Sequence, residues 1–231
     1  FDTKCQKGQN DSNICSLIRE DSIEEFISFI TRTNMSLIST VNSDIYETNS
    51  FLIGKKTSLL QYAAFYGSIQ VINYMKLNNV IFDLSVWIHA IHSKNADLIH
   101  ILEDNDLFDE NINYDEVIKE AIKCHHNDIA DYLINKYYNG DINNQIDKFI
   151  WSISDSKNYY YLNNYSINEL ISNNRYLEQF KISDFHFPIK KITIPSSVKS
   201  IGSFCFAGFS SLEITIPSSV ISFGSNIFDG V

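Results

Sequence analysis

Metal binding and nucleophilic catalysis both need side chains that converge on one point, and few residues here are candidates. Cys124, His125 and His126, with Asp128 just beyond, form the densest group of possible metal ligands. Adjacent residues on a helix point about 100° apart, so the two imidazoles diverge, and their position matches a turn between helices; no metal site is expected. His89 and His92 lie three apart and share a helix face, with His100 further along. His89 adjoins Ala90 in an apolar register, which favours packing or a solvated face over ligation. A nucleophile needs a base that is itself oriented by a third group, and in Cys124-His125 the side chains diverge. The sequence has no G-x-S-x-G, H-E-x-x-H, G-x-G-x-x-G or phosphate-binding loop motif. Glu103, Asp104, Asp106, Asp109 and Glu110 read as one solvated loop, because a calcium loop demands stricter spacing and a central glycine. Tyr159, Tyr160, Tyr161 and Tyr165 lack interleaved basic residues, so packing is the simpler role than base stacking. No catalytic residue, cofactor or metal is therefore expected, and the chain does not read as an enzyme.

The elements that would carry such residues follow from punctuation and charge. All three prolines, Pro188, Pro195 and Pro217, lie in the last 44 of 231 residues, so nothing in the first 187 residues forbids helix. The net charge of −10 opposes binding to a phosphate backbone, and nucleic acid is not an expected partner. No apolar run approaches the roughly 18 residues of a membrane helix, so no membrane insertion is expected. Cys5, Cys15, Cys124 and Cys205 are widely spaced, which suits a reducing compartment.

The tail repeats itself. Ile192-Thr-Ile-Pro-Ser-Ser-Val198 returns 22 residues later as Ile214-Thr-Ile-Pro-Ser-Ser-Val220, and 12 of 18 aligned positions are identical. Alternation points Ile192 and Ile194 inward and Thr193 outward, as in a short strand that Pro195 ends. Val198, Ile201 and Phe206 fill the interior, while Gly202 and Gly208 permit corners that a side chain would crowd. Each turn leaves a face bare, so turns must stack. Ile189, Ile192, Ile194, Pro195, Ser197, Val198, Ile201, Gly202 and Phe206, with Cys205 at a small-residue position, resemble the BspA-like leucine-rich repeat. Leu212 precedes Ile214 by two residues rather than three, and the array is expected to continue past Val231.

A second repeat is helical. Ser58-Leu-Leu-Gln-Tyr-Ala-Ala-Phe-Tyr-Gly67, then Val71, Ile72 and Met75, suggest two helices around a glycine turn. A shift of 27 aligns Trp87, Ala90, Leu98, Ile99 and Leu102 with Leu60, Ala63, Val71, Ile72 and Met75. A further 31 reaches Ile118, Ala121, Ile129, Ala130 and Leu133, and upstream Ile18, Phe26, Ile27 and Ile30 fit the same template. Ser22, Lys94 and His125 are expected at the turn position of Gly67. These residues resemble degenerate ankyrin repeats, of a kind similar to ankyrin-type domains of unknown function in parasitic protists. Ile146, Phe149, Ile150 and Ile153 suggest a closing helix pair within 141–180.

The expected fold class is a repeat or solenoid protein: an α-helical, ankyrin-like stack of helix pairs over 1–180, then short β-rich leucine-rich turns over 181–231. Such stacks present long shallow surfaces, so the expected function is a non-catalytic scaffold for a protein partner. Lys191, Thr193, Glu213 and Thr215, outward on the strands, are the candidate binding surface. Ankyrin-type repeats imply a cytoplasmic location, whereas BspA-like repeats imply the alternative of a cell-surface adhesin or antigen that binds host or matrix proteins.

Overall fold

The computed structural model describes residues 8–103, 114–138, 191–208 and 213–230, and single positions 149, 152, 153, 156, 158 and 160. The chain divides into two compact units, Phe1–Gly140 and Asp141–Val231. The domain boundary expected at 180/181 lies outside the described residues. Of the expected closing helix pair, Phe149 and Ile153 are buried, while Ile146 and Ile150 lie outside the described residues.

The described part of the first unit contains four helix pairs: α1 (Asn13–Arg19) with α2 (Ile23–Thr33), α3 (Leu59–Tyr66) with α4 (Ile69–Leu77), α5 (Leu84–Ser93) with α6 (Ala96–Glu103), and α7 (Asp115–Lys123) with α8 (Asn127–Tyr137). Local signals set their starts. Ser58 and Gln61 form a reciprocal capping box at α3, and the Asp83 carboxylate accepts from the Val86 N–H at α5. Asn95 Oδ1 accepts from the N–H groups of Asp97 and Leu98 at α6 (3.0 and 3.2 Å). The aligned positions Leu60, Trp87 and Ile118 are all buried, as are Ala63, Ala90 and Ala121. Val71, Leu98 and Ile129 are buried too, and so are Met75, Leu102 and Leu133. Burial of each fully enclosed aliphatic side chain contributes about 1.5–3 kcal/mol, and the alanines leave room for α3 to pack closely along α5.

Each pair turns through one left-handed residue: Asp21 (φ 49°), Gly67 (φ 71°), Lys94 (φ 52°) and His125 (φ 58°). Around Gly67, Ser68 N–H donates to Ala63 O (2.9 Å) and Gly67 N–H to Ala64 O (3.2 Å), the paired bonds of a Schellman end. Ser22 N–H to Leu17 O (3.0 Å) and His126 N–H to Ala121 O (2.9 Å) repeat the first of these. The first turn corrects the expected register, since Asp21 holds the left-handed position and Ser22 (φ −80°) the next helix start. The buried face of α2, Phe26 and Ile30, runs one residue late relative to its turn, so apolar spacing alone misplaces that turn.

The turns also tie neighbouring pairs together. Asp21 Oδ2 and Oδ1 accept from the Gln70 and Val71 N–H groups (both 3.0 Å), so the first turn caps α4 of the next pair. Ser68 Oγ donates to Ile18 O (2.6 Å) across the same boundary. The His126 Nδ1–H donates to Ile91 O (2.8 Å) across the boundary from α5 to α8. Ile18 and Ile91 occupy one repeat position, three residues before the left-handed turn.

Residues 34–58 depart from the helical expectation. β1 (Thr40–Asn42) pairs antiparallel with β2 (Lys56–Ser58), Val41 opposite Thr57. Side chains in the intervening loop bind nearby backbone instead: Asp44 Oδ1 accepts from Tyr46 N–H (2.9 Å) and Asn49 Oδ1 from Phe51 N–H (2.9 Å). Such local bonds compete with helix without any proline.

In the second unit, β3 (Lys191–Thr193) lies parallel to β5 (Glu213–Thr215), and β4 (Ser200–Ile201) to β6 (Ser222–Phe223). Ile192 pairs with Ile214, so the 22-residue spacing of the sequence is the rise from one turn to the next. Backbone bonds run between the turns: Ile194 to Thr215, Phe204 to Ser225, Phe206 to Ile227 and Gly208 to Asp229 (2.8–3.0 Å), and Gly224 back to Ile201 (2.8 Å). Ile192, Ile194, Val198, Ile201, Cys205 and Phe206 are buried with Val220 and Ile227. Ile189 and Leu212 lie outside the described residues. Crowding is present at Gly224, the second-turn counterpart of Gly202, where a Cβ would stand 2.3 Å from Ser203 N. Gly208 has open space but φ 84°, so its requirement is the dihedral angle.

Asp21 combines a left-handed backbone with a cap on another helix. Asp21→Ala loses the cap and is expected to lower unfolding stability by about 1–2 kcal/mol, and Asp21→Gly, which relieves the backbone, by less. Urea titration checks this; unchanged midpoints in both variants would contradict the capping role.

Candidate functional site

The four strand positions expected to face outward do so. Lys191, Thr193, Glu213 and Thr215 are exposed, around buried Ile192 and partly buried Ile214. Cross-strand register places Lys191 beside Glu213 and Thr193 beside Thr215. Lys191 Nζ donates to Glu213 Oε1 at 2.8 Å, but the side chains are 61% and 67% exposed, so the pair contributes little to stability. It neutralises the charge of the surface and leaves the two threonine hydroxyls beside it. Within the second turn Ile216, Phe223 and Phe228 are exposed, whereas their first-turn counterparts Ile194, Ile201 and Phe206 are buried; Ile221 is exposed, as is its counterpart Lys199.

Residues 182–231 match the family model described as BspA type Leucine rich repeat region (6 copies). The match takes in both stacked turns. Leucine-rich repeats generally mediate protein–protein interaction. No curated protein and no solved structure gave a significant match to the chain. No helix among the described residues is long and apolar enough to cross a membrane.

In the helical unit the structure separates residues that adjoin in sequence and joins others. His125 is exposed at its left-handed turn and His126 is committed to Ile91 O. His100 is exposed, 3.4 Å from Glu103. Glu103 does not belong to an acidic loop: its side chain is 5% exposed, accepts from Tyr132 Oη (2.7 Å) and pairs with Lys136 (3.1 Å). Asp104, Asp106, Asp109 and Glu110 lie outside the described residues, as do Tyr159, Tyr161 and Tyr165; Tyr160 is exposed.

His92, Glu120 and Cys124 do converge. His92 Nε2 lies 3.0 Å from Glu120 Oε1, and Cys124 Sγ lies 3.6 and 3.8 Å from His92 Nδ1 and Nε2. His92 ends α5, while Glu120 and Cys124 are four residues apart at the end of α7. His92 packs against the rings of Phe51 and Phe65, 3.9 and 5.2 Å away between centroids. Hydrogen bonding to His92 holds the Glu120 carboxyl below its usual range, and burial with the Glu120 charge pushes the Cys124 thiol up to about 11. The sulfur sits almost equally far from both ring nitrogens, off the in-line direction of either. The trio thus lacks the thiolate character and in-line bond of an activated nucleophile.

Apolar spacing alone does not bring this trio together; the signal for it is the 31-residue register of the helix pairs. Carried over to polar positions, it sets His92 opposite Lys123, one residue from Cys124 and one helical turn from Glu120.

His89 is buried, donates from Nδ1 to Ser85 O (2.6 Å) and contacts the Phe51 ring edge-on (4.9 Å). Burial lowers its pKa from the ordinary value of 6.5. The unfolded chain therefore binds this proton more readily, so the contribution is present above pH 6.5 and declines as pH falls below it. Unfolding free energies between pH 7.5 and 5 are expected to fall for the native chain, by at most about 1.4 kcal/mol per pH unit from this group, with a shallower slope in His89→Gln. Equal slopes would contradict the assignment.

Proposed function

We propose that the chain is a non-catalytic scaffold whose leucine-rich turns present a binding face to a protein partner, in a chain that also carries ankyrin-type helix pairs. The observation that carries this reading is the flat ladder of Lys191, Thr193, Glu213 and Thr215 on strands whose inward residues form a packed core. Support for the ankyrin-type reading comes from four helix pairs joined by the same left-handed turn and buried at aligned positions. Two clefts lined by described residues of the helical unit measure about 250 Å³, between α6 and α8 and lined by Ile99, His100, Ile129 and Tyr132, and about 400 Å³, beside α2. The first volume lies below the usual range of small-molecule pockets and the second toward its lower end. In this reading the domains divide near 180/181 and the protein works in the cytoplasm.

A cell-surface adhesin that binds host or matrix proteins is the second reading, favoured by the BspA type match. Affinity capture from cell lysate, with bound proteins identified by mass spectrometry, tests the scaffold. A saturable partner is expected, and Thr193→Ala with Thr215→Ala should weaken its capture by about tenfold, the equivalent of roughly 1.4 kcal/mol. Undiminished capture by the double variant would reject this face, and binding only to intact cells or matrix would favour the adhesin.

A further inference from the structure

We propose that His92, Glu120 and Cys124 form a binding site for a divalent transition metal of the zinc class, bridging the α5–α6 and α7–α8 helix pairs. One potential ligand atom from each residue lies within 4.8 Å of the others. The Nε2 to Oε1 distance is 3.0 Å and the Nε2 to Sγ distance 3.8 Å. Around tetrahedral zinc, with Zn–N near 2.0 Å and Zn–S near 2.3 Å, the matching edges are about 3.3 and 3.6 Å. The first edge is close to that of a formed site, while closing the second requires Cys124 Sγ to move from beside Nδ1, which it now approaches at 3.6 Å, to the lone-pair side of Nε2.

The donor set selects the ion. Imidazole, carboxylate and thiolate together suit zinc or cobalt(II), whereas magnesium and calcium require oxygen donors throughout. The supporting elements are rigid. Glu120 and Cys124 stand one helical turn apart at the C-terminal end of α7, and His92 on α5 packs against the Phe51 and Phe65 rings. Partial burial of all three limits competition from solvent. Lys123 Nζ, 3.7 Å from Glu120 Oε2, is 49% exposed and free to swing into solvent when the ion arrives. Three protein ligands leave one coordination position for water. Bound metal would clamp the ends of two adjacent pairs, adding a link to a boundary already held by His126 and Ile91. The proposal does not depend on the identity of any protein partner.

Cobalt(II) titration of the chelator-treated 231-residue chain tests this, because a thiolate ligand gives a charge-transfer band in the near ultraviolet. The expected result is a band that saturates at one equivalent and is displaced by zinc. Cys124→Ser should abolish it, while a chain carrying Cys5→Ser, Cys15→Ser and Cys205→Ser together should keep it. His92→Gln and Glu120→Gln should each weaken cobalt binding by at least about tenfold, since loss even of outer-shell partners costs about 10–100-fold. Absence of saturable binding in the native chain, or a band that survives Cys124→Ser, would overturn the proposal. Because the native titration alone can fail, the test stands even where a variant does not fold.

Discussion

A repeat in this chain cannot bury its own apolar face, and everything else follows from how it is held against the next one. Apolar contact supplies most of the stabilisation, but it is non-directional and would tolerate sliding. Direction comes from hydrogen bonds that cross between repeats at fixed positions. In the helical unit, Ser68 reaches the carbonyl of Ile18 and His126 that of Ile91, the same repeat position in two different pairs. In the leucine-rich turns the backbone itself supplies these links, from Ile194, Phe204, Phe206 and Gly208 to residues 21 places later. Both units thus reach one solution by different chemistry, side chain to backbone in one and backbone to backbone in the other.

That constraint decides which residues are tolerated at the turns. Asp21, Lys94 and His125 adopt a left-handed backbone at some cost, where Gly67 adopts it freely. Asp21 offsets the cost by capping α4 of the neighbouring pair. At Gly224 the demand is spatial, because the adjoining turn leaves no room for a Cβ. Stacking also creates the surface available for recognition: burial of Ile192 and Ile194 forces Lys191 and Thr193 out, and parallel pairing sets Glu213 and Thr215 beside them.

Much of this was legible in the residues because stacking is recorded in apolar spacing. Leu60, Trp87 and Ile118 could be aligned without coordinates, and so could the 22-residue turn. Features set by polar chemistry were harder to read. Asp21 looks like a loop acid until its carboxylate is seen on another helix, and Ser22 looked like the turn because the buried face of α2 is offset by one residue. The strands around residues 40–58 have no proline or glycine signal strong enough to announce them; their cause is local side-chain bonding by residues such as Asp44 and Asn49. His92, Glu120 and Cys124 are separated by up to 32 residues, and only the inter-repeat register brings them together. The outward strand positions were readable from alternation alone, since period two leaves no other choice.

Amide hydrogen exchange on the native chain and on Gly224→Ala tests most directly whether contact between turns, rather than any turn by itself, holds the fold. The account predicts that the Ile194, Phe204, Phe206 and Gly208 amides, whose acceptors all lie in the other turn, lose protection together in the variant, while amides inside α3 and α5 keep theirs. Loss confined to residues adjoining position 224, with the other inter-turn amides still protected, would contradict it.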